Sequence, residues 1–163
     1  MNQQKNVTRA AVVVLQELAT DSLILTQRSL ELPHHPGEVC FPGGRFEKGD
    51  SNLAETALRE LQEELGILPA RVRLMHEMAT ERTLQGVVIH PWFATIEQLS
   101  PFDADSREVA QVFAVPMADV TNALNYQKKV IERFGLSIKT WEFIKSPYVI
   151  WGATARIMRQ LCE

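Results

Sequence analysis

The sequence has little cysteine, no long apolar run and no excess of positive charge. Two cysteines in 163 residues, Cys40 and Cys162, exclude a disulfide framework or a zinc cluster and read as reduced thiols of a cytoplasmic protein. The longest apolar stretches, such as Ala10–Leu15, fall far short of the roughly 20 residues of a membrane span, and Met1–Ala10 lacks the apolar core of a signal peptide. The C-terminal Gln160–Glu163 is not a peroxisomal signal. A formal net charge of −3 argues against a nucleic-acid binder, which shows a basic excess or stripe. Any phosphate on a substrate must therefore be met by local groups. No repeat, low-complexity tract or Pro/Gly/Ser-rich linker interrupts the chain, so residues 1–163 read as one domain. With 45% of residues hydrophobic, that domain can bury a core without staples.

What is present is an alternation of short strands and helices. Ala10–Leu18 and Leu23–Arg28 are β-rich and separated by Ala19–Ser22, which predicts a hairpin or short connection. A loop dense in proline and glycine follows, from Ser29 to Ser51. Ala54, Leu58, Leu61 and Leu65 recur at three- and four-residue spacing, predicting a helix over 52–65 with Ser51 as cap and Gly66 as terminator. Strands are predicted at 71–79, 87–96 and 108–115, a short helix at 117–124 behind Pro116, and a closing helix over 148–161. The mixture implies an α/β fold, a sheet covered by helices on both sides.

The predicted helix carries Glu60, Glu63 and Glu64 on one side and its leucines on the other. Each like-charged pair costs only about 0.2–0.5 kcal/mol on an exposed helix, so an acidic solvated face, with Arg59 reaching Glu63, would explain the triplet by itself. The neighbourhood favours more. Gly43 and Gly44 lie upstream in a bend that can turn backbone groups toward the carboxylates, and carboxylates with a carbonyl oxygen suit Mg²⁺ or Mn²⁺.

Gly43–Ile67 resembles the Nudix box, G-x5-E-x7-R-E-U-x-E-E-x-G-U with U aliphatic. Arg59 to Ile67 matches its second half throughout. In the first half the acid falls on Asp50, one residue farther from Arg59 than the pattern has it, and Glu47 is the alternative acid. The resemblance implies a Nudix fold, an α/β/α sandwich with a central mixed β-sheet. It implies a loop–helix–loop holding divalent metal through Gly44, Glu60, Glu63 and Glu64. It also implies hydrolysis of a nucleoside diphosphate linked to another group, with Arg59 among the catalytic residues.

A second motif narrows the substrate. Leu25, Thr26, Arg28, Ser29, Leu32, His35, Gly37, Val39 and Phe41–Gly44 resemble the signature preceding the Nudix box in coenzyme A pyrophosphatases. The likeness continues into Arg107–Met117 and Tyr148–Met158. That branch commonly has the longer spacing seen before Arg59. It implies cleavage of coenzyme A or a derivative to 4′-phosphopantetheine and adenosine 3′,5′-bisphosphate, with no nucleic-acid or membrane partner, and leaves a homodimer open. Arg28 and Arg45 are candidates to clamp phosphate, with His35 beside them. Glu60, Glu64 and Glu108 are candidates for the catalytic base. A Nudix enzyme of ADP-ribose, dinucleotides or nucleoside triphosphates, and a nucleotide-binding sensor without turnover, are the alternatives. A P-loop is excluded, since Gly44 and Gly49 lack the Lys-Ser/Thr that should follow.

Overall fold

The computed structural model of the protein describes residues 7–163, so the first six residues of the segment read for a leader lie outside the described residues. An eight-stranded mixed sheet forms the centre. β1 (Arg9–Glu17) and β2 (Ser22–Arg28) are antiparallel, joined as the Ala19–Ser22 connection predicts, but they pair only from Leu15 to Glu17 against Ile24 to Ser22. Beyond that they diverge. The segment 39–45 fills the fork, with β3 (Val39–Cys40) on β2 and β4 (Gly43–Arg45) on β1.

β7 (Val88–Ile96) runs parallel to β1 along its whole length, and β5 (Arg73–Glu77) and β6 (Glu81–Arg82) add antiparallel to its far edge. β8 (Val109–Pro116) closes the other side against β2. α1 (Leu53–Leu65) covers one face of the sheet. Its Ala57, Leu61 and Leu65 pack with Ala11, Val13, Leu15, Ala94 and Ile96. The opposite face buries Val14, Leu23 and Leu25 against Ile157 and Met158 of α3 (Gly152–Arg159). Successive β1 residues thus feed opposite cores, as strand alternation requires. The result is the expected α/β/α sandwich around a mixed sheet.

Several boundaries differ from the sequence expectation. Asn52, not Ser51, caps α1: its side chain accepts from Glu55 N–H at 2.9 Å, while the Glu55 carboxylate accepts from Ser51 N–H at 2.8 Å. The pair forms a reciprocal cap that either flanking residue could announce in sequence. Gly66 ends the helix in the left-handed region, φ 65°. The short helix behind Pro116 stops at Val120 (α2, Met117–Val120), and the closing helix starts only at Gly152. Ile150–Trp151 instead pairs as β11 with a long hairpin, β9 (Tyr126–Arg133) and β10 (Leu136–Phe143). This three-stranded second sheet was absent from the sequence expectation, because the charges of 127–133 mask its alternation. Among the described residues no helix is long and apolar enough to cross a membrane.

Candidate active site

The fork between β1 and β2 is what places chemistry under α1. At Gly44 an added Cβ would run into the Glu60 carboxylate, so glycine is what leaves that carboxylate its place beside the strand. The preceding Gly43 donates its N–H to Glu64 Oε2 at 3.2 Å. That amide was not foreseen, because a backbone donor leaves no mark on the sequence.

Arg59 organises the acidic face. Its Nε and Nη2 grip Asp50 Oδ1 and Oδ2 at 2.8 and 3.0 Å, a two-pronged pair with a carboxylate only 4% exposed. Thr56 Oγ1 also donates to Asp50, at 2.9 Å, and the Asp50 carboxyl is held well below the ordinary range, first by Arg59. Glu47, at 3.6 Å from Nη1, is a peripheral partner. The displaced acid of the motif is therefore Asp50 in space as well as in order. Nη1 of Arg59 reaches both Glu60 and Glu63 at 3.1 Å, and Nη2 donates to the Arg45 carbonyl at 3.2 Å.

Two glutamates here are pushed above the ordinary carboxyl range. Burial, then the negative charge of Glu63, pushes Glu60 up to about 7 despite Arg59. Burial and the charge of Glu60 push Glu64 up to about 8, against the opposing Gly43 N–H. The negative charge of Glu108 raises both further, and the positive charge of Arg28 opposes the rise at Glu64. Local folding explains this proximity. Ser29 N–H bonds the Glu108 carbonyl, so the end of β2 and the entry to β8 meet beside α1.

The remaining expected contacts are arranged differently. Arg28 Nε and Nη2 donate to the His34 carbonyl at 3.3 and 3.0 Å, which ties the Ser29–Glu38 loop to the strand end. His35, with φ 52°, turns its Nδ1 to Glu38 at 3.2 Å. Arg45 brings its carbonyl rather than its side chain to the carboxylate network. The exposed guanidinium lines a surface depression with Arg9 and Phe46 and makes no ion pair among the described residues.

Glu60, Glu63 and Glu64, with the carbonyls of the glycine turn, are hard oxygen donors of the kind Mg²⁺ and Mn²⁺ prefer. The raised pKa of Glu60 and Glu64 comes first from burial and then from the neighbouring glutamate charge. Their present arrangement is partly self-satisfied. Among the described residues no three acidic, His or Cys side chains form a ready cage, and Arg59 holds both Glu60 and Glu63.

Comparison with known proteins identifies the family and the fold. The sequence model of the NUDIX domain matches residues 6–134. An uncharacterized Nudix hydrolase NudL of Citrobacter koseri is 35% identical over 157 residues, covering 96% of this chain and 82% of its own; its counterpart in Salmonella newport is 34% identical with the same coverage. Among solved structures, the NUDIX domain of Shewanella oneidensis NrtR complexed with ADP ribose is 25% identical, with a TM-score of 0.56 over 71% of this chain and 77% of its own. DR0079 from Deinococcus radiodurans shares the fold over 100% of this chain and 90% of its own, with a TM-score of 0.65 at 12% identity.

Proposed function

The chain belongs to the Nudix hydrolase family, and from that premise we propose that it cleaves the pyrophosphate of coenzyme A or a coenzyme A derivative. The products are 4′-phosphopantetheine and adenosine 3′,5′-bisphosphate. Water supplies the oxygen that bonds to one phosphorus, and the other phosphate leaves with the bridging oxygen. The observation that carries this reading is the convergence of two motifs on Glu64. Gly43 N–H bonds it, the positive charge of Arg28 acts on it, and both belong to the stretch resembling coenzyme A pyrophosphatases.

In this reading residues 1–163 act as one hydrolase domain in the cytoplasm. Glu60, Glu63, Glu64 and the Gly44 carbonyl hold Mg²⁺ or Mn²⁺, the type of ion Nudix enzymes generally use. When bound, such an ion would supply positive charge against the phosphate oxygens and acidify the attacking water. Asp50 fixes Arg59, and Arg59 in turn holds the Glu60 and Glu63 carboxylates. Glu108, near both buried glutamates but outside the Arg59 network, is the proton acceptor we favour. In the same reading Arg28, His35 and Arg45 would bind the diphosphate.

The test compares wild type with Glu63→Gln on coenzyme A, acyl-coenzyme A, ADP-ribose and a nucleoside triphosphate, with Mg²⁺, Mn²⁺ or EDTA. Products are identified by mass spectrometry. Metal-dependent release of 4′-phosphopantetheine, lost in the variant, supports the reading. Turnover confined to ADP-ribose or the triphosphate overturns the coenzyme A assignment while keeping the metal chemistry. Binding without turnover points to a sensor.

A further inference from the structure

The outer edge of β9 has no strand against it among the described residues: the second sheet runs β11–β10–β9 and ends there. Such an edge is a template for another strand. The large apolar side chains exposed most fully sit at its two ends, Leu124 at 85% and Phe134 at 84%, with Val130, 58% exposed, in the middle. Lys128 and Glu132 flank Val130 symmetrically. Lys128 has no carboxylate partner among the described residues, and Glu132 accepts only from Ser137. Lys129, by contrast, is already paired with Glu142 at 3.7 Å.

We infer that β9 pairs antiparallel with β9 of a second copy of this chain about a two-fold axis through Val130. Antiparallel pairing permits only a limited set of registers. A residue whose amide and carbonyl face outward must meet another such residue, so the axis passes through a residue rather than between two. An axis through Lys129 would press Lys129 onto its own copy. One through Ile131 would set Lys129 against Arg133. The axis through Val130 places Lys128 opposite Glu132 twice, Gln127 opposite Arg133, and Val130 opposite Val130. Cross-strand pairs of opposite charge favour a register, and like charges oppose it.

The same register carries Phe134 of one copy to Tyr126 of the other, next to Leu124. The exposed apolar groups at opposite ends of the edge are thereby brought together on both sides of the axis. Closed two-fold pairing also consumes the free edge, so assembly stops at two chains. The second sheet becomes a continuous six-stranded one.

The test is the molar mass of the full chain by sedimentation across a concentration series. Wild type should reach the dimer. Lys128→Glu and Glu132→Lys should each weaken dimerisation by on the order of tenfold, because each converts both attractive pairs into repulsive ones. An equimolar mixture of the two variants should regain dimer mass, since every pair then joins opposite charges. Phe134→Ser should also weaken association. Both charged side chains are exposed, so melting of the monomer serves as the folding control. A wild type that stays monomeric at its highest soluble concentration overturns the inference. So does a dimer indifferent to the single charge reversals, or a mixture that does not re-associate.

Discussion

Gly43→Ala and Gly44→Ala are adjacent and chemically identical changes with opposite expected outcomes. A Cβ on Gly43 would lie 2.7 Å from both Val12 Cα and Val12 Cγ1 and closer still to the Ala11 carbonyl oxygen. The obstacle is the backbone of the central strand, which cannot yield without disturbing the β1–β4 and β1–β7 pairings. Forced overpacking of this kind costs about 1–3 kcal/mol. For a domain of this length each kcal/mol moves Tm by roughly 2–4 °C, so Gly43→Ala should melt about 2–12 °C lower. A Cβ on Gly44 meets only the carboxylate of Glu60, the end of a flexible side chain. Glu60 can rotate away, and Tm should stay within about 3 °C of wild type. The function should not survive so well, since displacement of a positioning group by about 1 Å can cost on the order of 100-fold in rate. Thermal unfolding of both variants in EDTA and in Mg²⁺, with turnover measured alongside, separates the two. Equal melting of the variants, or a Gly44→Ala protein with full turnover and an unchanged Mg²⁺-induced rise in Tm, refutes the steric reasoning.

Other expectations follow from the same contacts. Arg59 lowers the folded-state pKa of Asp50, so the stabilisation is fully present above the unfolded value of 3.8 and disappears as pH falls through the lower folded value. Asp50→Asn should therefore lower Tm at pH 7 and flatten the acid limb of a Tm–pH curve; an unchanged limb contradicts this. Glu108→Gln should cut kcat by about 100-fold or more with KM little altered, whereas a KM effect alone would make it a substrate contact instead of a base. Tyr126 donates its buried hydroxyl to the Val120 carbonyl at 2.7 Å, and Tyr126→Phe should cost about 1 kcal/mol in chemical denaturation. An unaffected midpoint would mean that another donor satisfies that carbonyl.

How much of this was legible depended on whether a feature is written in side chains or in backbone. α1 was readable because its leucines repeat at helical spacing and Gly66 stops it. The carboxylate triplet was readable because residues three and four apart on a helix must share a side. The second sheet was not, since Gln127, Lys128 and Lys129 interrupt any apolar alternation, and the hairpin is held by backbone pairing that most sequences can make. Asp50 and Glu47 could not be ranked from spacing alone, because a bend between Arg45 and Ser51 decides which carboxylate reaches Arg59.

The sequence by itself determined the elements that follow from local periodicity, the family resemblance and the set of acidic groups, because helical spacing and turn residues act over a few positions. Only the tertiary structure decided where those groups meet. The divergence of β1 from β2 admits segment 39–45, brings the Gly43 amide to Glu64 and sets Gly44 against Glu60. These contacts join residues well separated along the chain. Their energies depend on burial and on neighbouring charge, and both exist only once the sheet has closed around the helix.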